Sequence, residues 1–227
     1  MTDRNRWQLA FALATSLVIA AGSAQAGPPL LCHPVEIGEA RSLPWGGTGW
    51  AGASPSYDRA GLVDDTLALL VPATPVLVRM ETLRRAAIYT FKDERLAGDL
   101  LARLVARARD ADAKRLDPAL PWFDAGYLAA CYRQAAMIGE ANGGSAEKAD
   151  VDGWLAKALA ARGDDPAMEF ALALIGQDRR RPAYEDHLRR AAAGAAEGSL
   201  LARNLLAHFG KRGGTLAELR ASIGAGR

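Results

Sequence analysis

Few residues in this chain could take part in covalent chemistry. It has two cysteines, Cys32 and Cys131, and three histidines, His33, His187 and His208. Cys32 and His33 are neighbours, and neighbouring side chains in an extended segment point apart, so they do not suit a nucleophile and its base. Covalent haem would need a second cysteine three positions earlier, where the sequence has a proline. The histidines lack the spacing of a metal site. We predict no catalytic, cofactor-binding or metal-binding residue, and an enzyme is the less favoured interpretation.

Three aromatic residues near the N-terminus are candidates for binding: Trp45, Trp50 and Tyr57. As an exposed platform they would stack on a sugar or hold a peptide. The other interpretation is that this part of the chain caps the rest of the protein and buries its apolar side chains. We favour the cap, because the surrounding residues 27–57 are too rich in leucine, valine and isoleucine for a free linker.

A second group of candidate binding residues is basic. It consists of Arg179, Arg180, Arg181, Arg189 and Arg190. Guanidinium groups bind carboxylates and phosphates through paired hydrogen bonds, so these arginines could hold an acidic peptide or a phosphate. The alternative is that the run of three arginines lies in a solvated loop.

The start of the chain, residues 1–26, has the features of a secretory signal peptide. Two arginines precede a short apolar run, and Ala-Gln-Ala ends the segment as a small-x-small cleavage site. We expect cleavage after Ala26, a periplasmic or secreted protein, and no transmembrane segment in the mature chain. An uncleaved membrane anchor is the alternative, but the apolar run is short for a span.

Export also bears on the two cysteines. Disulfides persist in oxidising compartments, and an even number of cysteines in an exported protein indicates a bridge. We therefore expect a disulfide between Cys32 and Cys131. The alternative is two thiols, with Cys131 as a small apolar residue of the core.

Composition limits the remaining possibilities. The 227 residues are 50% hydrophobic and 24% charged, enough for one domain with a substantial core. Alanine and leucine supply most of the apolar content, which favours helices that approach closely over β-sheets. The net charge of +2 is too small to predict nucleic acid as a partner.

From Asp58 onward the sequence pattern is helical, and we expect a helical domain over residues 58–223 with a frayed end at 224–227. Pro75 is expected at the first position of a helix capped by Thr74, with one apolar stripe and an exposed pair, Glu81 and Arg85, on its other side. The stretch 122–139 is apolar nearly all round and predicts a central, buried helix. A capping box begins at Thr215.

The sequence also repeats itself. Residues 81–104 return 105 residues later as 186–209, and Leu-Arg-Arg-Ala-Ala at 83–87 matches the same five residues at 188–192. A partial third copy covers residues 155–174. The interval of 105 residues is close to three units of about 35, the length range of helix-pair repeats. We expect 81–104 and 186–209 to be equivalent hairpins.

These repeats resemble the tetratricopeptide and Sel1-like superfamily of α-solenoids over roughly residues 74–209. The resemblance is carried by Leu-Arg-Arg-Ala-Ala at 188–192 followed by Gly198, Ala202 and Leu205, and by Trp122 with Gly126-Tyr127. It implies an all-α fold, a right-handed array of antiparallel helical hairpins, here with an irregular N-terminal arm at 27–57. It also implies protein binding on a concave face, usually without catalysis.

Two functions from different classes follow. The first is a non-catalytic helical-repeat protein that binds or scaffolds another envelope or secreted protein or peptide. The second is a small secreted enzyme or ligand-binding protein with a site between the arm and the helices, built from His33, Glu36, Trp45 and Trp50. The arm decides between them: convergence of His33 and Glu36 in a pocket favours the second, and full apolar burial of the two tryptophans favours the first.

Overall fold

The computed structural model of the protein describes residues 29–47, 52–140, 144, 149–177 and 182–224. The predicted leader, residues 1–26, lies outside this part of the chain. The described residues form ten α-helices and no strand, with one isolated antiparallel bridge between Trp45 and Ala53. The predicted all-α class is therefore confirmed.

The helices range from 4 to 20 residues, and a 3-10 turn at Arg59–Gly61 precedes the second of them. In chain order they are α1 Pro29–Cys32, α2 Leu62–Leu69, α3 Val76–Tyr89, α4 Glu94–Ala113, α5 Ala119–Met137, α6 Val151–Arg162, α7 Pro166–Gln177, α8 Pro182–Gly194, α9 Leu200–Phe209 and α10 Leu216–Gly224.

Helix α5 is the centre of the core. It packs against α1, α3, α4, α6 and α7, and every residue from Trp122 to Tyr132 is buried. The sequence predicted this burial, because a helix that is apolar all round needs neighbours on several sides. The residues of α3 are buried as well, all but Arg85. The expectation that Glu81 and Arg85 form an exposed pair is wrong, because the arm covers that face of α3.

The closest helix pairs are α5 with α6 and α7 with α8. Glycines make this approach possible: a Cβ atom added to Gly126 would lie 2.7 Å from Cγ of Leu155, and one added to Gly194 would lie 2.2 Å from Cγ of Pro166. Helices α3 and α4, which the sequence repeat predicts as a hairpin, each pack mainly on α5. Helix α5 is apolar on every side. It therefore offers α3 and α4 more apolar surface than they offer each other.

Helix starts follow the expected capping chemistry, with one correction. Thr215 and Glu218 form the predicted capping box, since the Glu218 amide donates to Oγ1 of Thr215 and the Thr215 amide donates to the Glu218 carboxylate (3.2 and 2.8 Å). Helix α3, by contrast, begins at Val76 with Pro75 as its N-cap. The hydroxyl of Thr74 donates to the Leu69 carbonyl (2.7 Å) and therefore does not cap the helix.

Among the described helices, none is long and apolar enough to span a membrane.

Candidate functional site

The arm lies on α3 and is held there by a buried ion pair. The Glu81 side chain is 1% exposed and accepts from Nε and Nη2 of Arg84 at 2.7 and 2.8 Å. The same carboxylate accepts from the Val35 amide at 3.0 Å, and Nη1 of Arg84 donates to the Leu31 carbonyl at 2.9 Å. Both charged groups are thus paired with each other and with the backbone of the arm, as buried charges must be.

Two more side chains of α3 extend this contact. Arg85 donates from Nε to Glu81 (2.7 Å) and from Nη1 to the Leu43 carbonyl (2.6 Å). The Tyr89 hydroxyl donates to the Pro44 carbonyl (2.5 Å) and accepts from the Ser54 amide (3.0 Å). One face of α3 therefore binds the arm through the backbone of the arm.

The aromatic residues of the arm pack on this same face. The Trp45 ring meets the Tyr89 ring edge-on at 6.0 Å, and the Arg84 guanidinium lies 4.9 Å from the Trp45 ring centroid. The Tyr57 ring lies 4.7 Å from Tyr89. Trp45 and Tyr57 are both only partly buried, and Trp50 is outside the described residues. The two described rings are thus engaged by α3 side chains, which leaves less aromatic surface for a ligand.

His33 and Glu36 face different neighbours. The His33 ring is edge-on to the His208 ring at 6.0 Å, and His208 also contacts Phe170 at 5.5 Å. Burial lowers the pKa of His33, and it lowers the pKa of His208 to about 4. Glu36 instead exchanges two 2.8 Å hydrogen bonds with the Asn204 side chain, from its amide to Oδ1 and from Nδ2 to its carbonyl. These contacts tie the arm to α9 and do not build a shared pocket.

The predicted disulfide is not in the structure. Cys32 ends α1 and is partly buried, and Cys131 lies fully buried in α5, with no bond between their sulfur atoms. Burial raises the pKa of the Cys131 thiol, which disfavours the thiolate that disulfide chemistry needs. Cys131 therefore acts as a small apolar residue of the core.

A groove of about 250 Å³ lies between α6, α7 and α8. Its walls are largely apolar, and the three titratable side chains that reach it are Asp152, Tyr184 and His187. The apolar lining comes mainly from Leu155, Leu159, Leu172, Ile175 and Tyr184. A concave apolar surface with a few polar groups is the usual form of a binding site.

His187 is fixed by a buried glutamate behind the groove wall. The Glu169 side chain is 2% exposed and lies 2.5 Å from Nδ1 of His187 and 2.6 Å from Nε of Arg190. Nη2 of Arg190 is 2.9 Å from the same imidazole nitrogen. Glu169 thus pairs with both His187 and Arg190, and the Arg190 side chain stays 46% exposed beside His187. The end of the groove therefore carries an accessible cation.

The second copy of the arginine motif lies at this position. Asp186 and Arg189 form an ion pair three residues apart, as Glu81 and Arg84 do in the first copy. Their side chains are 58% and 34% exposed, and Nε of Arg189 has no hydrogen-bond partner in the described part of the chain. Of the five predicted basic residues, Arg190 lies next to the groove through its contact with His187. Arg189 is on the same helix but does not line the groove, and residues 179–181 are not described.

Sequence reasoning missed the buried carboxylates. Glu169 is the only charged residue of α7, and Asp124 is the only acidic residue of the largely apolar α5. Asp124 pairs with Arg79 at 2.6 Å. Such an isolated charge in an apolar helix needs a buried partner, and that signal was available in the sequence. The sequence could not identify the partners, because Arg79 lies 45 residues from Asp124 and Arg190 lies 21 residues from Glu169.

No group of three or more histidine, cysteine, aspartate and glutamate side chains in the described residues could hold a metal ion. No protein family, curated protein or solved structure matches this chain. The function has to be argued from the chain's own geometry.

Proposed function

We propose that this is an exported, non-catalytic helical-repeat protein that binds an extended peptide segment of another envelope or secreted protein. The proposed binding site is the groove between α6, α7 and α8 together with the exposed Asp186, Arg189 and Arg190. Export rests on the sequence of residues 1–26, and the solenoid arrangement rests on the internal repeat.

The observation that carries the proposal is the pair of arginine motifs. In the first copy, side chains at positions 81, 84 and 85 hold the arm through its backbone amide and carbonyl groups. Positions 186, 189 and 190 repeat the acid and both arginines 105 residues later. In this copy the side chain of Asp186 is 58% exposed and that of Arg189 is 34% exposed, and the arm does not lie across the pair in the described residues. The first copy therefore supplies an example, within the same chain, of the ligand that the second copy would take.

The groove beside the second copy gives the peptide a specific anchor. Leu172 and Ile175 of α7 and Tyr184 of α8 are each partly exposed on its walls. An apolar side chain of the peptide would enter there, and carbonyl groups of its backbone would accept hydrogen bonds from Arg189 and Arg190. Burial of a leucine-sized side chain contributes about 1.5–3 kcal/mol. We therefore expect binding that is selective for an apolar residue in an extended segment.

The test is a library of short, end-blocked peptides in which one position varies within a glycine–serine background. We expect leucine, isoleucine and phenylalanine to be enriched at that position. Ile175→Arg should weaken the selected peptide by about tenfold or more, because it places a charge in the apolar wall. Ile138→Arg is the matched control, since Ile138 is exposed and does not line the groove.

Two results would overturn the proposal. One is a library with no enrichment of apolar residues, or with enrichment of acidic residues alone, which would indicate an anion site at the arginines. The other is equal binding by wild-type protein and Ile175→Arg when circular dichroism shows both to be folded.

A further inference from the structure

A second cavity, separate from the groove, lies where α3, α4 and α5 meet. Its volume is about 360 Å³, within the range of pockets that hold small ligands. The apolar part of its lining comes from Pro72, Ala111, Leu116, Leu120 and Pro121. Leu116 is 60% exposed, and Val71, next to Pro72, is 45% exposed. Large apolar side chains this exposed are rare on the described surface, where four are found. One of the four, Leu116, lines this cavity.

The charged groups around the cavity are paired, with one exception. Arg79 is buried and donates to the Asp124 carboxylate and to two backbone carbonyls. Asp110 is paired with Lys114 at 2.8 Å, and Asp117 accepts from the Ala119 amide at the start of α5.

Arg107 is the exception. It lines the cavity half-buried, and it makes no hydrogen bond or ion pair with any residue that the structure describes. The guanidinium of an arginine carries five donors in a fixed plane and is partly dehydrated here, so it favours a planar anion that accepts two hydrogen bonds. The lining carries two arginines and two aspartates and has no net charge. Arg107 therefore offers an anion two hydrogen bonds beside an apolar surface.

We propose that this cavity binds a small aliphatic monocarboxylate, with its carboxylate on Arg107 and its hydrocarbon chain against Leu116, Leu120 and the two prolines. The volume accommodates a single small molecule. The proposal does not depend on the peptide groove, whose lining residues belong to α6, α7 and α8.

The experiment is isothermal titration calorimetry of the full chain without its leader, using octanoate as the probe. Octanol and octylamine have the same chain with a neutral or a positive head group, and we expect each to bind at least about tenfold more weakly. Arg107→Gln should weaken octanoate by about tenfold or more and leave the weak octanol binding unchanged. Arg103→Gln is the matched control, an exposed arginine one turn earlier in α4.

A second pair of variants tests the apolar wall without disturbing the core. Leu116→Asp should weaken octanoate by about tenfold, whereas Met137→Asp, at a residue that is 66% exposed and distant in sequence, should have no effect. Equal binding of octanoate and octanol, or full octanoate binding by Arg107→Gln, would overturn the proposal. A peptide with a C-terminal leucine carboxylate that binds more tightly than octanoate would also overturn it, because the occupant would then be a chain end.

Discussion

The two copies of the arginine motif differ in what covers them. In α3, Glu81 is buried with Arg84 beneath the arm, and its carboxylate serves two arginines and a backbone amide. In α8, the equivalent Asp186 and Arg189 form a partly exposed pair on a helix that also lines the groove. An acid and two arginines at the same spacing therefore stabilise the fold in one place and present hydrogen-bond donors in the other. The arm, rather than the motif, makes the difference.

The largest expected difference between the two copies appears when the acid of each is neutralised. Glu81→Gln leaves Arg84 buried without its counter-charge, and losing one partner of a buried pair costs about 3–5 kcal/mol. Asp186→Asn removes the matching acid at an exposed position and should change the free energy of unfolding by less than about 1 kcal/mol. Urea denaturation of both variants measures the difference. Similar losses in the two variants would contradict the distinction between a covered and an uncovered motif.

The next effect is a dependence on pH at the junction of the arm with α9. Burial lowers the pKa of His208 to about 4 in the folded protein, whereas its pKa in the unfolded chain is near 6.5. As pH is lowered, His208 is therefore protonated in the unfolded chain before it is protonated in the folded protein. His208 therefore does not lower the free energy of unfolding above about pH 6.5. That free energy falls as pH is lowered from there to about 4, by up to ~3 kcal/mol.

Asp124 acts in the opposite direction over part of the same range. Burial raises the pKa of Asp124 to about 6 and so favours its protonated form in the folded protein. Its contribution to the free energy of unfolding therefore falls as pH rises from about 4 to 6. The two effects separate by comparing wild-type protein with His208→Gln at each pH. The wild-type protein should lose more stability on acidification than the variant does. Parallel pH profiles would show that His208 is not held in its neutral form.

A smaller effect is expected where α7 and α8 meet. Gly194→Ala places a methyl group 2.2 Å from Cγ of Pro166 and should cost about 1–3 kcal/mol, because a packed contact has to move. Gly224→Ala is the control, since no atom lies within 4 Å of the added Cβ. Thermal unfolding of the two variants measures this. A stabilised Gly194→Ala would mean that the helix pair is less tightly packed than the structure has it.

The smallest effect concerns the second attachment of the arm. Asn204→Ala removes the two 2.8 Å hydrogen bonds to the Glu36 backbone and should cost about 1–2 kcal/mol. Arg203→Gln removes two exposed contacts, one to the Glu36 carboxylate and one to the Gly198 carbonyl, and should cost less than about 1 kcal/mol. Proteolysis of the arm in each variant, compared with wild-type protein, reports whether the arm has loosened. Equal sensitivity in both variants would show that Asn204 does not hold it.

The sequence predicted helices well and their surroundings poorly. The buried α5 and the capping box at Thr215 are set by local pattern, and a local pattern is visible in one sequence. The exposure of Glu81 and Arg85 was predicted wrongly, because their burial depends on the arm, about 40 residues away in sequence. The groove needs three helices that only the fold brings together. Arg189 and Arg190 could be named in advance, whereas Glu169 and His187 could not be paired.

The most direct test follows amide and methyl resonances of residues 27–227 as the selected apolar peptide is added. If the arm is a cap and the second motif is the binding site, shifts should be confined to α6, α7 and α8, including the methyl groups of Leu172 and Ile175. Signals of Val35, Leu43 and α3 should not move. Shifts in the arm and α3, with the groove unchanged, would contradict it and place the ligand at the first copy of the motif.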